Sequence, residues 1–217
     1  MKPGFLAGAE SPFATLRRWA QPSAATESCE FCNTSLGEEH RHLFELATRK
    51  LICVCDPCAL RFENVVGRWK LIPRDARAVP GFQITDPQWE SLALPIQLAF
   101  FFENSTLGKV IAMYPSPAGA TESLLPLANW QELMEACGGN VRLQPDVEAL
   151  LANRLGPIPR YWVAPIDLCF ELVGLMRLHW RGLSGGEKVW GEVEGFFGRL
   201  EARAKAGVPA SCETVHV

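Results

Sequence analysis

The sequence predicts an α+β chain in which a small zinc-ribbon- or treble-clef-like module packs on a larger α+β body. Two Cys-x2-Cys pairs near the N-terminus predict the module, because such pairs flanking a hairpin are typical of metal-binding modules. Farther along, two apolar segments joined by a polar loop predict a short antiparallel sheet, and an apolar stripe with helical spacing predicts C-terminal helices. The chain divides into a flexible N-terminal arm (1–27), the module (28–75), the body (76–206) and a tail (207–217).

The composition indicates a folded chain without a membrane-spanning helix. Of the 217 residues, 48% are hydrophobic, which is enough for a core. The longest uncharged apolar run, residues 92–102, is too short for a membrane span and contains Pro95. No apolar signal-peptide core follows the N-terminus, so we expect a cytoplasmic protein. The formal net charge of −3 provides no general attraction to nucleic acid or to acidic membranes.

The segment between the two cysteine pairs predicts a hairpin. Residues 41–46 predict a strand, 47–50 a turn and 51–55 the returning strand. The second pair leads into a short helix over 59–64, and residues 68–72 predict one more strand. The hairpin should therefore bring the two pairs together, and the helix favours a treble-clef-like arrangement.

The body is predicted to mix strands and helices. Asp86 followed by Pro87 predicts a helix N-cap and first helical position. Strands over 96–102 and 109–114 are expected to form a hairpin. The later predicted elements are helices over 129–138 and 145–154, a strand over 161–164 and a buried apolar helix over 166–179. The last helix carries an apolar stripe formed by Val189, Trp190, Val193, Phe196, Phe197 and Leu200.

Four cysteines form the predicted metal site, namely Cys29, Cys32, Cys55 and Cys58. Twenty-two residues separate the two pairs. A tight turn holds two sulfurs about 3.5–4 Å apart, which is the edge of a tetrahedron with metal–sulfur bonds of about 2.3 Å. In a reducing cytoplasm, clustered cysteines bind metal more often than they form disulfides. The isolated Cys137 and Cys169 are instead expected to be small buried side chains.

Four thiolates accept either zinc or a mononuclear iron. Zinc is the first expectation, because Pro57 removes a backbone N–H that a rubredoxin-type iron site would direct at a sulfur. The alternative is a rubredoxin-like electron carrier with iron in the same four sulfurs.

Three more side chains are alternative candidates for metal ligands, namely Cys53, His40 and His42. Of Cys53 and Cys55, we expect only one to face the metal, and Cys55 has the usual spacing to Cys58. Cys53 is then a core residue or a spare thiol. His40 and His42 lie between the pairs, where histidine can replace cysteine as a zinc ligand. The simpler expectation for both histidines is an exposed turn before the strand.

A site closed by four thiolates favours a structural role, since catalytic zinc keeps one position open for water. The His-x-Glu element of zinc deaminases does not occur in the sequence. Residues 29–75 contain seven basic and seven acidic side chains, so the module lacks the positive excess that phosphate binding requires. We therefore expect neither catalysis at this metal nor a nucleic-acid partner.

Residues 114–123 predict a loop that offers small and hydroxylated side chains to a protein partner. The loop lacks the lysine and the spacing of a P-loop, and a plain Pro- and Gly-rich connection is the alternative. The candidate contact residues are Tyr114, Ser116, Gly119, Thr121, Glu122 and Ser123. A third functional hypothesis is an enzyme site in the body around Ser116, Thr121, Glu122 and His179.

Five stretches resemble an uncharacterised bacterial family of about this length, and the resemblance covers roughly residues 28–202. The stretches are Cys-Glu-Phe-Cys, Glu-Glu-His-Arg-His-Leu, Ala-Phe-Phe-Phe, Tyr-Pro-Ser-Pro-Ala-Gly-Ala-Thr-Glu-Ser and Leu-His-Trp-Arg-Gly-Leu-Ser-Gly-Gly. Members of that family are often encoded beside nickel–iron hydrogenase genes. The resemblance therefore implies an accessory role in hydrogenase assembly or electron transfer, with a hydrogenase subunit or maturation factor as partner. It brings no catalytic residues.

Overall fold

The computed structural model describes residues 27–63, 65, 67–123, 130, 134–135, 141–182 and 185–206. Nearly all of the predicted N-terminal arm, the predicted tail and most of the helix expected over 129–138 lie outside these residues. Cys137 and Cys212 lie outside them as well.

The first sheet has three antiparallel strands, which are β1 (Arg41–Glu45), β2 (Lys50–Val54) and β3 (Trp69–Leu71). Their order is β2-β1-β3, and α1 (Asp56–Phe62) follows β2 directly. The predicted hairpin, third strand and short helix are confirmed. The helix begins earlier than expected because Pro57 sits in its first turn, where a missing N–H costs no hydrogen bond.

The second sheet has six strands. They are β4 (Arg77–Ala78), β5 (Leu98–Asn104), β6 (Lys109–Ser116), β7 (Gly119–Glu122), β8 (Glu148–Asn153) and β9 (Arg160–Pro165). They are all antiparallel in the order β4-β9-β8-β5-β6-β7. The predicted hairpin is confirmed as β5 and β6, and the strand over 161–164 as β9. With its helices and antiparallel sheets, the chain is an α+β protein.

Three more helices lie in the body, namely α2 (Asp86–Ser91), α3 (Ile166–His179) and α4 (Gly186–Ala206). The N-cap expected at Asp86 is wrong by one residue. Thr85 is the N-cap, since its side chain accepts from the Gln88 N–H while the Gln88 side chain accepts from the Thr85 N–H. The predicted stripe of α4 is confirmed, because Val189, Val193, Phe196, Phe197 and Leu200 are buried and Trp190 packs half-buried against the same core.

The six-stranded sheet is covered on both faces. Phe100 and Phe102 pack on one face with the buried sides of α3 and α4. Phe101 packs on the other face with Trp89 of α2. Because successive residues of a strand point to opposite faces, β5 is apolar at every position between Leu98 and Phe102, each at most 1% exposed. Burial of each phenylalanine contributes about 1.5–3 kcal/mol.

The helix expected over 145–154 is wrong, because this segment contains β8. The strand lies between β5 and β9, with Leu151 in one core and Leu150 in the other. A strand buried on both faces is a continuous apolar run, which periodicity alone does not separate from a buried helix. Pro145 lies in a turn with Asp146, which has a left-handed φ of 71°.

Two other expectations need correction. The predicted loop 114–123 is largely a hairpin of β6 and β7, with its turn at residues 117–118. The predicted burial of α3 holds for one side only. Cys169 is buried as expected, whereas Leu178 is 65% exposed and Asp167 faces the first sheet.

The first sheet is attached to the second through a shared core and polar contacts. Phe44 of β1 and Ile72 after β3 belong to the same buried cluster as α3. Lys70 of β3 lies 2.6 Å from the buried carboxylate of Asp146. Among the described residues, none of the helices is both long and apolar enough for a membrane span.

Candidate metal centre

The first cysteine pair lies in a tight turn just before β1. The Asn33 N–H donates to the Cys29 carbonyl at 2.8 Å, and the Cys29 N–H donates to the Thr34 carbonyl at 2.8 Å. Asn33 has a left-handed φ of 63°, which asparagine tolerates better than most residues. The turn therefore folds Cys29 and Cys32 toward one point.

The second pair is positioned by the start of α1. Cys55 is the N-cap of the helix, with extended φ and ψ of −75° and 159°, and Cys58 lies in the first turn. The Cys55 side chain accepts no capping hydrogen bond. Pro57 offers no N–H, so the second pair receives fewer backbone donors than the first.

The four predicted ligands lie together in the structure. Their sulfur atoms are all within 4.8 Å of one another, and the Cys32 and Cys55 sulfurs are 3.6 Å apart. A tetrahedral ion with bonds of about 2.3 Å requires sulfur–sulfur edges of about 3.8 Å. Cys29 is fully buried, whereas Cys32 is exposed. The donor set and its spacing thus fit one tetrahedrally coordinated metal ion at the edge of the module.

Electrostatics around the sulfurs also favour a cation. Burial raises the pKa of Cys29, but N–H groups of Cys55, Cys32 and Phe31 donate to its sulfur, outweigh burial and lower that pKa to about 6. Burial and the neighbouring sulfurs raise the pKa of Cys58 to about 12. Four adjacent sulfurs therefore do not all ionise near neutral pH by themselves. A divalent cation supplies the positive charge that allows four thiolates.

An aromatic cluster supports the metal centre from the module core. The ring centroid of Phe31, inside the first pair, lies 4.4 Å from that of Phe62 and 5.2 Å from that of Trp69. Cys29, Cys55 and Cys58 pack against the same cluster. The sequence analysis missed this role, although an aromatic residue within a cysteine pair was an available signal.

Cys53 lies outside the four-cysteine cluster, as expected. It is separated from Cys55 because the strand β2 ends between the two residues. Residues two apart in a strand point to the same face, so strand geometry alone would place Cys53 and Cys55 together. Instead β2 ends at Val54 and the chain turns into α1 at Cys55. Cys53 lies beside His40 and His42.

The exposed turn expected for the two histidines is wrong. The His40 side chain is only 7% exposed, and His42 lies within β1. Neither joins the four-cysteine cluster. The His42 Nδ1 lies 2.9 Å from the carboxylate of Asp167 at the start of α3.

The candidate partner residues lie on or just after the β6–β7 hairpin, and several already have partners in the chain. The Ser116 hydroxyl bonds the Gly119 carbonyl and lies 3.0 Å from the Thr121 hydroxyl. Glu122 lies 3.3 Å from Arg49 of the β1–β2 turn, so it connects the body with the module. Tyr114 packs on the second core, and the Ser123 N–H donates to the Ala112 carbonyl.

Of the residues suggested for an enzyme site in the body, Ser116, Thr121 and Glu122 lie on the β6–β7 hairpin, and His179 is the last residue of α3. Over the described ranges, no hydrogen bond or ion pair joins His179 to Ser116, Thr121 or Glu122. The two hydroxyl groups are used within the hairpin, and the carboxylate pairs with basic side chains.

Two comparisons, with curated proteins and with solved structures, returned no match. A third comparison, with protein families, did find a match. Residues 28–204 match DUF5947, a family of unknown function, and the chain therefore belongs to that family.

Proposed function

We propose that the chain is a non-catalytic, zinc-stabilised accessory protein of the cytoplasm. The four-cysteine cluster carries this proposal, because four thiolates complete a tetrahedral zinc ion and leave no position for a substrate. The hairpin between the pairs and the helix that begins at the second pair support a treble-clef-like module. In this proposal the metal stabilises the fold of residues 28–75, and the folded module packs on the body.

Zinc is favoured over iron by the second pair, where Pro57 removes one donor to the Cys55 sulfur. We expect protein purified without oxygen to be colourless, with zinc in the four-cysteine cluster and only traces of iron. Elemental analysis and visible absorption measure this outcome. A red, reversibly bleached protein containing iron would instead identify a rubredoxin-like electron carrier.

We further propose that the partner is a nickel–iron hydrogenase subunit or a maturation factor. The resemblance of the five stretches supports this choice of partner. The tip of the β6–β7 hairpin is the proposed contact, because Pro117 and Ala118 are exposed and carry no charge to desolvate. The balanced charge of the module disfavours a nucleic-acid partner.

An Ala118→Arg variant is expected to lose the partner while keeping its metal and its melting temperature. The Ala118 side chain is exposed, and its N–H bond to Ser116 does not depend on the side chain. The measurement is capture of hydrogenase-related proteins from the native host with a tagged full-length chain, followed by mass spectrometry.

Leu60→Arg is the matched control, since Leu60 is 66% exposed and belongs to α1 rather than to the hairpin. This variant should retain the partner. If the unaltered chain captures no hydrogenase-related protein, the proposed partner is wrong. If Ala118→Arg still captures it, the partner binds elsewhere.

A further inference from the structure

A second cluster of metal-ligating side chains lies on the β1–β2 hairpin. The ligand atoms of His40, His42 and Cys53 are all within 4.8 Å of one another. His42 and Cys53 are direct cross-strand partners, and His40 is two residues before His42 on the same side of the chain. The rings of the two histidines have centroids 4.6 Å apart. The hairpin thus gathers two imidazoles and one thiol that the four-cysteine cluster does not use.

Hydrogen bonding sets which nitrogen of each ring is available. The His40 Nδ1 lies 3.0 Å from the Gly37 carbonyl, which only accepts, so this nitrogen carries the proton. The His42 Nδ1 lies 2.9 Å from the Asp167 carboxylate and donates to it. A ring that binds a metal ion is neutral, and with the proton on Nδ1 its lone pair lies on Nε2. Proteins commonly orient metal-binding histidines by such a bond to a carboxylate or carbonyl.

The His40 Nε2 atom gives an independent indication of a missing ligand. It is buried and has no hydrogen-bond partner, within a side chain that is 93% buried. The Glu27 carboxylate lies 3.6 Å from this atom. A buried nitrogen lone pair without a partner is unfavourable unless a proton or a metal ion satisfies it.

We propose that His40 Nε2, His42 Nε2 and Cys53 Sγ bind a second divalent transition-metal ion, most readily zinc. Tetrahedral zinc with bonds of about 2.0–2.3 Å requires donor–donor distances of about 3.3–3.8 Å, so the cluster closes with small side-chain movements. Two imidazoles and one thiolate form a donor set that zinc accepts readily. The inference goes beyond the accessory role and does not depend on the partner.

The second site differs from the first because it has three protein ligands. His40 and His42 line a cleft of about 730 Å³ between the first sheet and α3, and Glu27 lies at its edge. The fourth position of the ion faces this cleft and takes a water molecule or a small anionic donor. Three protein ligands with one open position are the arrangement of zinc sites that activate water or bind substrate.

The test uses the full chain dialysed against buffered zinc and then freed of unbound metal. We expect two zinc ions per chain for the unaltered protein and one for His42→Ala or Cys53→Ser. His179→Ala is the matched control and should keep two, because His179 lies at the far end of α3. Asp167→Ala removes only the orienting carboxylate, and we expect about 10–100-fold weaker binding of the second ion.

Cobalt substitution distinguishes the two sites even if a variant folds poorly. The second equivalent of cobalt should add absorption bands of a mixed nitrogen and sulfur site. Those bands should be absent from His42→Ala, whose four-thiolate bands remain. Azide should shift the bands of the second site only. One zinc per chain in the unaltered protein, or two in both His42→Ala and Cys53→Ser, overturns the second site. Bands insensitive to azide overturn the open position.

Discussion

A Cys58→Ser variant is expected to lose the metal of the four-cysteine cluster and to unfold residues 28–75 while the body stays folded. Structural zinc sites contribute about 10–16 kcal/mol of apparent binding free energy, which is folding free energy in small modules. A whole domain is stable by only about 5–15 kcal/mol. The small aromatic core around Phe31 and Trp69 should therefore not hold the module without the metal.

Hydrogen exchange read by mass spectrometry measures the effect separately in the two sheets. Exchange should become fast over β1, β2 and α1, and remain slow over the buried strands β5 and β8. The matched control is Leu60→Ala, because Leu60 is 66% exposed on α1, two residues after Cys58 and outside both cysteine clusters. This control should keep the four-thiolate cobalt bands and the protection of the module. A metal-free Cys58→Ser protein with unchanged protection would show that the cluster is not structural.

A Lys70→Met variant is expected to destabilise the chain by about 3 kcal/mol. Asp146 is 1% exposed, and Lys70 lies 2.6 Å from its carboxylate. Without the ammonium group, the buried carboxylate keeps only the Ser105 N–H as a strong donor among the described contacts. Removing one partner of a buried ion pair costs about 3–5 kcal/mol, and we expect the low end because Lys70 is 36% exposed. Urea unfolding measures this loss.

Lys109→Met is the matched control for that experiment. Lys109 is 58% exposed and lies 3.9 Å from Glu122, so its removal should cost less than about 1 kcal/mol. Adding Asp146→Asn to Lys70→Met should recover part of the lost stability. The amide has no charge to bury, accepts from the Ser105 N–H and tolerates the left-handed φ of 71°. Equal losses for Lys70→Met and Lys109→Met would contradict the prediction.

Local patterns predicted the part of the site that depends on short spacing. Each Cys-x2-Cys pair folds as a tight turn, and the hairpin between them lies within residues 41–54, so the four sulfurs could be placed together from the sequence. The second cluster was not predicted, although His42 and Cys53 lie in the same hairpin and His40 directly precedes it. The cluster forms because His42 lies directly opposite Cys53 on the neighbouring strand. That position depends on the register of the strand pairing, which the sequence analysis did not assign.

In the body, local sequence patterns identify some helices and strands correctly but not all of them. The stripe of α4 has a helical period because one side of the helix meets the core and the other meets water. Residues 148–153 carry no such period, since neighbouring strands and packed layers surround them on every side. A helix was expected there, and only the pairing of β8 with β5 and β9 identifies a strand.

By itself the sequence determined the four-cysteine cluster, its hairpin and the long terminal helices, because each depends on residues close together in the chain. Tertiary structure alone decided the strand order of the six-stranded sheet, the pairing of Lys70 with Asp146 and the contact of His42 with Asp167. These contacts join residues 76 and 125 positions apart, and they form when the first sheet packs against the body. Sequence spacing carries no information about such contacts, because they depend on how separately formed elements bury their apolar faces against each other.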